Sequence, residues 1–268
     1  MRILITNDDG INAPGLAVLE EIATALAGPE GEVWVVAPAF EQSGVAHCIS
    51  YTKPMMVSQF SERRFALEGS PADCVLAGLH DILPARPDLV LSGVNKGNNA
   101  GENTPYSGTI GAALEAALQG IRAVALSQYL GPENRDLDDL FEAARVHGLG
   151  VLRALVNHAP WQEDAAYRLF YNVNFPPIAA AAVKGVEAAS QGFRRDTHFA
   201  TEPYTSPSGR RYLWIRGGPQ DQPTEPGSDV AACLAGFVSV TPMRADLTAH
   251  RTIAALADGL RKAESEAP

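Results

Sequence analysis

Ile3-Leu4-Ile5-Thr6-Asn7-Asp8-Asp9-Gly10 opens the chain with a short apolar, β-branched run that stops at four turn-forming residues. Gly15 to Leu26 follows, with Leu16, Leu19, Ile22 and Leu26 at helical spacing. Val33 to Ala37 is a second buried run, closed by Pro38. Strand, helix, strand is the opening of a parallel α/β sheet, in which strands covered on both faces read as continuous apolar segments.

Working outward, residues 49–68 read as strand-like, with Tyr51, Met55, Val57, Phe60 and Phe65, and predict antiparallel excursions. Ser70-Pro71-Ala72-Asp73 is a helix start, with a capping serine, a first-turn proline and a first-turn acid, and the helix should run through Ile82. Leu89 to Leu91 is a strand, Gly93 to Gly108 a Gly- and Asn-rich loop, and Gly111 to Leu118 an Ala-rich helix. Ala123 to Leu126 is the next strand and Leu137 to Val156 a long helix. Later strands are expected at Leu169 to Val173, Val183 to Ala188 and Phe237 to Thr241, with a last helix at Thr252 to Leu260. The Gly-, Pro- and Arg-rich stretch 192–228 reads as a projecting arm or hairpin. The expectation is one α/β domain over 1–268: a catalytic core at 1–160, then a sheet extension, arm and C-terminal helix at 161–268.

The chain has 268 residues, 46% of them apolar and 19% charged, the balance of a globular protein with a substantial core. A net charge of −10 argues against a stable nucleic-acid partner, which calls for a basic surface. A phosphate substrate would need positive potential supplied locally, by a metal, a helix N-terminus or a few Lys and Arg. Cys48, Cys74 and Cys233 match no metal spacing and no even disulfide framework, and read as buried thiols in a reducing compartment. The N-terminal MRILITNDDG does not read as a signal peptide, so none is expected, and no apolar run has membrane-spanning length. A cytoplasmic enzyme is the expectation.

Ligands of open parallel sheets bind beyond the carboxyl ends of the strands. Three loops fall there: Asn7 to Gly10, Pro38 to Ser43, and Gly93 to Thr109, all rich in oxygen donors. Adjacent acids in a turn, Asp8 and Asp9, can face one hard cation; a turn that merely favours Asn, Asp and Gly is the alternative. Ser43 can serve as a neutral metal ligand or phosphate donor, and Gly44 permits close backbone approach. His47 could move a proton, although an ordinary loop histidine is the commoner case. Asn95 can offer an amide oxygen and Lys96 a positive charge. Ser107-Gly108-Thr109 precedes the Ala-rich helix, where free N–H groups and the positive end of the helix dipole can cradle phosphate. No Gly-x-x-x-x-Gly-Lys-[Ser/Thr] loop is present, nor Gly-x-Gly-x-x-Gly after the first strand.

The set Asn7-Asp8-Asp9-Gly10, Ala13-Pro14-Gly15, Val36-Ala37-Pro38 with Ser43-Gly44, Gly69 to Cys74, Ser92-Gly93-Val94-Asn95 and Tyr106 to Thr109 resembles the SurE family, survival protein E. Asn172 to Pro176, Gly227-Ser228-Asp229 and Val238 to Pro242 belong to the same pattern, which covers nearly the whole chain. The resemblance implies a Rossmann-like core and a metal-dependent nucleotidase acting on nucleoside 5′-monophosphates, with 3′-nucleotide and polyphosphate activity in some members. It places the metal ligands on Asp8, Asp9, Ser43 and Asn95. It also implies dimers or tetramers that exchange C-terminal segments. Two departures stand out: Ala39 where the family usually has Asp, and Gly97-Asn98-Asn99 where it usually has Gly-Pro-Asn.

The expected site therefore has Asp8 and Asp9 as catalytic acids on one divalent cation per subunit, Mg²⁺ or Mn²⁺. Asn7, Gly44, Lys96, Asn99, Ser107, Gly108 and Thr109 are expected around the phosphate. Tyr106, Phe193 or Tyr204 could stack on a base. Arg194, Arg195, Arg210 and Arg211 are read as arm arginines, solvated or meeting polyphosphate or a neighbouring subunit. The rivals are a covalent aspartyl-phosphate phosphatase, which would favour Asp-x-Asp, a non-catalytic Mg²⁺-dependent nucleotide sensor, and an acidic structural metal-binding protein.

Overall fold

The computed structural model describes residues 1–266. In chain order, β1 (Arg2–Thr6) leads to α1 (Pro14–Ala27) and β2 (Glu32–Pro38), and then to the strands β3 (Val57–Ser61) and β4 (Arg64–Leu67). After α2 (Pro71–Ala77) come β5 (Leu89–Lys96), α3 (Gly108–Leu118), β6 (Arg122–Gln128), α4 (Glu142–His158) and β7 (Phe170–Phe175). The chain continues with β8 (Val186–Ala188), β9 (Ala200–Thr205), β10 (Arg211–Arg216), α5 (Asp229–Leu234), β11 (Val238–Met243) and α6 (Ile253–Glu266). Residues 267 and 268, part of the expected 161–268 extension, lie outside the described residues.

A nine-stranded sheet is ordered β3-β4-β2-β1-β5-β6-β7-β11-β8, and β9 and β10 form a separate two-stranded hairpin. Only β3 on β4 and β11 on β7 pair antiparallel in the large sheet, as at a Rossmann-like sheet with reversed strands toward its edges. The alternation of β1 explains the layers: Ile3 and Ile5 enter one core with Leu16, Leu19 and Leu152, while Leu4 enters the other with Val75 and Ile110. Helices α1 and α4 therefore cover one face, and α2 and α3 the other. Ala112, Ala113 and Ala116 of α3 are fully buried, so the small side chains bring that helix close onto the sheet.

Most local signals act as read. The Ser70 hydroxyl accepts from the Asp73 N–H at 3.1 Å, and the Asp73 carboxylate accepts from the Ser70 N–H at 2.8 Å. The same two side chains pin the preceding loop, through the Cys48 carbonyl and the Ser50 N–H. The α-helix, however, stops at Ala77 and finishes as a wider π-type turn over Gly78–Ile82. Residues 49–56 are not strand; Tyr51 stands out in solvent, and only Val57 onward pairs. The polar loop after Leu91 is shorter than expected, because β5 continues to Lys96 past an irregularity between Ser92 and Asn95, and Gly101–Tyr106 forms a 3-10 turn. At Gly93 (φ +136°) a β-carbon would lie 2.2 Å from the Leu126 carbonyl, so only glycine lets β5 pass β6 there.

Helix α4 begins five residues later than expected, at Glu142 rather than Leu137. Helix α5 was not expected at all; Ser228 caps it by accepting from the Ala231 N–H at 3.2 Å. Of the strand expected over 183–188 only Val186–Ala188 forms. Cys74 and Cys233 are buried as expected, but Cys48 is exposed. Among the described residues no helix is long and apolar enough to cross a membrane.

Candidate functional site

Strand β1 has β2 on one side and β5 on the other, so the loops leaving β1 and β5 part and open a crevice at the carboxyl end of the sheet. An open cleft of about 780 Å³ lies there, lined by Asp8, Ser43, Gly44, Asn95, Lys96, Asn99, Tyr106 and Ser107 among others. Three loops far apart in sequence thus converge on one cavity.

Asp8 sits at the bottom and is only 3% exposed. Its Oδ1 accepts a 2.6 Å hydrogen bond from the Thr109 hydroxyl. Thr109 accepts in turn from Asn99 Nδ2, which also donates to Ser127, while the Asn99 N–H donates to Asn174 Oδ1 at 2.8 Å. A buried chain of polar groups therefore holds Asp8 in one orientation. Gly108 makes room for it: a β-carbon there would lie 3.0 Å from Asp8 Cβ and 3.2 Å from its Oδ2. Burial pushes the Asp8 carboxyl up to about 6; the Thr109 hydroxyl opposes the rise and the adjacent Asp9 charge adds to it.

Asp9 lines a second, smaller hollow with Glu41, Lys96 and Asp139. Its Oδ2 accepts from the Lys96 backbone N–H at 3.1 Å, which ties the β1 loop to the end of β5. Burial raises its carboxyl as well; the Lys96 N–H pulls the other way and the Glu41 charge adds to the rise. Neither acid has a Lys, Arg or His within ion-pair distance among the described residues. The Lys96 charge also opposes the rise at Asp9.

Ser43 stands exposed at the lip and donates to Glu41 Oε1 at 3.0 Å. Its loop is held by backbone bonds, from Ala39 N–H to the Leu67 carbonyl and from Gln42 N–H to the Asp8 carbonyl. Ala39 therefore leaves the loop anchored without a side-chain carboxylate. Asn95 Nδ2 donates to the Gly97 carbonyl at 3.0 Å, which leaves its amide oxygen as the free donor atom. Two carboxylates, a hydroxyl and an amide oxygen would make a hard, all-oxygen set of the kind that suits Mg²⁺ or Mn²⁺; Asp8, Ser43 and Asn95 line the cleft, whereas Asp9 lines the neighbouring hollow. Among the described residues no group of three His, Cys, Asp or Glu could hold a metal, so a cation here would rest on two acids and neutral oxygens.

Of the residues expected at the phosphate, Gly44, Lys96, Asn99 and Ser107 line the cleft, and Asn7, Gly108 and Thr109 do not. Asn7 is fully buried, and its Nδ2 closes the turn on the Gly10 carbonyl at 2.9 Å. Thr109 is fully buried behind Asp8, and Ser107, on the cleft wall, also caps α3 through the Ile110 N–H at 3.1 Å. His47 lies outside the cleft lining and pairs with Glu115 at 2.6 Å. Of the stacking candidates Tyr106 lines the cleft, Phe193 lines an adjoining hollow, and Tyr204 packs toward Tyr212 on the hairpin. Arg194 is no surface arginine: it is fully buried and bonded to Glu102. Asn98, Asn103, Phe199, Ile215 and Gln220 complete the cleft wall. The two asparagines were visible as part of a polar loop, but nothing in the sequence pattern marks Phe199, Ile215 or Gln220.

Comparison with known proteins gives the family. A family model described as Survival protein SurE matches residues 3–198. A 5′-nucleotidase SurE of Cereibacter sphaeroides is 67% identical over 257 residues, covering 96% of this chain and 98% of the relative. That of Roseobacter denitrificans is 66% identical over 258 residues, with the same coverage. The crystal structure of the SurE protein from Aquifex aeolicus superposes with a TM-score of 0.77 at 34% identity, covering 95% of this chain and 98% of that one. With the family model matching most of its length and such relatives spanning nearly all of it, this chain belongs to the SurE family.

Proposed function

We propose that the chain is a divalent-cation-dependent 5′-nucleotidase that hydrolyses nucleoside 5′-monophosphates to nucleoside and phosphate. The observation that carries the reading is Asp8: a buried acid, oriented by Thr109 and paired with no basic side chain, at the bottom of a cleft of mononucleotide size. The name 5′-nucleotidase borne by the relatives supports the reaction.

Asp8, Asp9, Ser43 and Asn95 would hold one Mg²⁺ or Mn²⁺ per subunit. Such an ion supplies Lewis-acid charge neutralisation for the phosphoryl oxygens and lowers the pKa of water. The protein's own groups do the rest. Thr109 and Asn99 keep Asp8 from turning away, and Gly108 leaves it room beside the N-terminus of α3. Lys96, Ser107 and the positive end of the α3 dipole offer the phosphate a complement in a chain of charge −10. Asp9, which accepts from the Lys96 N–H and lines the hollow that shares Lys96 with the cleft, would supply the second carboxylate. Nucleoside 3′-monophosphates and polyphosphate are proposed as further substrates of the same cleft.

Residues 1–160 would form the catalytic core and 161–268 the part that assembles subunits in the cytoplasm. The hairpin exposes Tyr204, Tyr212, Leu213, Trp214 and Ile215, and α6 exposes Ile253, Leu256 and Leu260 along one side. Apolar surfaces of this kind suit a homodimer or homotetramer with exchanged C-terminal segments.

A phosphate-release screen over 5′- and 3′-mononucleotides and polyphosphate, with Mg²⁺, Mn²⁺ or EDTA, tests the proposal. Release from 5′-monophosphates that EDTA abolishes is expected. Nucleotide binding without any release would instead establish a sensor.

A further inference from the structure

Behind the cleft wall formed by Asn98 and Gln220 lies a guanidinium that the proposed reaction does not use. Arg194 is wholly inaccessible to solvent, and its donors are matched on every side. Nη1 pairs with Glu102 Oε1 at 2.5 Å, and Nη2 donates to Asn98 Oδ1 and to Tyr129 Oη, both at 2.9 Å. Nε donates to the Gln220 carbonyl at 3.1 Å, which also accepts from the Tyr129 hydroxyl. On the other side of Asn98 and Gln220 is the cleft. There Gln220 Oε1 accepts from Asn98 Nδ2 at 3.1 Å and from Asn103 Nδ2 at 2.7 Å, so three side-chain amides form one bonded wall.

Different side chains therefore support Asp8 and the amide wall, through the consecutive residues Asn99 and Asn98. Asp8 rests on Thr109, Asn99 and Ser127; the amide wall rests on Arg194. Amides held in fixed orientation suit the hydroxyls of a ribose and the edge of a base, which carry both donors and acceptors. A planar, five-donor fork fixes several partners at once, as a lysine in its place could not.

We infer that Arg194 is a positioning residue for the nucleoside half of the substrate: through Asn98 and Gln220 it shapes the wall against which ribose and base lie, without touching the phosphoryl chemistry. The inference rests on the nucleotidase reading and adds which part of the chain distinguishes a nucleotide from a bare phosphate ester.

The test is steady-state kinetics of the full chain and of Arg194→Lys, with AMP and with p-nitrophenyl phosphate. The lysine keeps a cation for Glu102 and loses the bonds to Asn98, Tyr129 and Gln220. The KM for AMP should rise about tenfold with kcat within about threefold, while both constants for p-nitrophenyl phosphate stay within about threefold. An unchanged KM for AMP, or equal rises for both substrates, overturns the inference. If Arg194→Lys does not fold, Tyr129→Phe reads the same split, with an expected rise of about threefold in KM for AMP alone, and no rise is the contradicting result. Failure of the nucleotidase reading would show in the unmutated chain, as absence of AMP hydrolysis; failure of the inference shows only in the variants.

Discussion

Asp8 and Trp214 are both placed against their chemistry, a carboxylate 3% exposed at the bottom of the cleft and an indole 58% exposed on the hairpin. Around Asp8 the neighbours are fixed: Thr109, Asn99, Ser127 and Asn174 form one bonded chain, and Gly108 leaves the space the acid needs. Around Trp214 the strand is exposed along its whole length, and its partner β9 is equally exposed. The contrast separates two kinds of incompleteness. On the proposed reading, a small cation would complete the site at Asp8, and a second protein surface would cover the hairpin. Each calls for a different experiment.

The largest effect is expected from Asp8→Asn. Nucleotide hydrolysis should fall by at least about 10²–10³-fold, because a charged oxygen at the reacting centre is lost. The fold should persist, since a buried neutral amide is easier to desolvate than a carboxylate, and melting of the metal-free protein checks this. Full activity in the variant would break the assignment of Asp8. Thr109→Val should have a smaller effect. It removes the hydrogen bond that opposes the rise of the Asp8 carboxyl above its ordinary value, so that carboxyl moves up beyond about 6. Losing a hydrogen bond to a charged group costs about 1.5–3 kcal/mol, so activity near neutral pH should drop roughly tenfold or more, with the acid limb of the pH profile moving upward. Smallest at the active site is Trp214→Ser with Leu213→Ser. The hairpin variant should shift the mass measured by light scattering toward monomer, while hydrolysis of p-nitrophenyl phosphate changes by no more than about twofold, as expected of exposed positions. An unchanged mass would remove the hairpin from the proposed interface.

The same contrast explains what the sequence could disclose. β1, the Ser70 cap and the Ala-rich α3 are written in neighbouring residues, and their periodicity or capping pattern is visible without a structure. The convergence of Asp8, Ser43 and Asn95 was legible because loops at the carboxyl ends of parallel strands must meet. Arg194 was not: its partners Asn98, Glu102 and Tyr129 are 96, 92 and 65 positions away, and nothing local separates it from Arg195 beside it. Helix α5 has six residues, too few for a 3.6-residue period to show, although its Ser228-Asp229 start was a usable cap signal. Thr109 read as a phosphate ligand because its place at a helix start was visible, whereas the side chain it faces, 101 positions earlier, was not.

On the proposed reading, a divalent cation matches the buried charge of Asp8. The metal-free chain gives the sign of its pH dependence. With the carboxyl raised from 3.8 to about 6, the folded state holds more protons than the unfolded state between those values. Its stability should therefore fall as pH rises through that window, by up to about 3 kcal/mol, and a cation must displace the proton at the lower end. The most direct measurement is calorimetric titration of the chain with Mn²⁺ at pH 7.5 and at pH 5.5, beside Asp8→Asn. One ion bound per chain at pH 7.5, weaker binding with proton release at pH 5.5, and loss of binding in the variant are expected. Binding that is equally tight at both pH values and survives Asp8→Asn would contradict that reading.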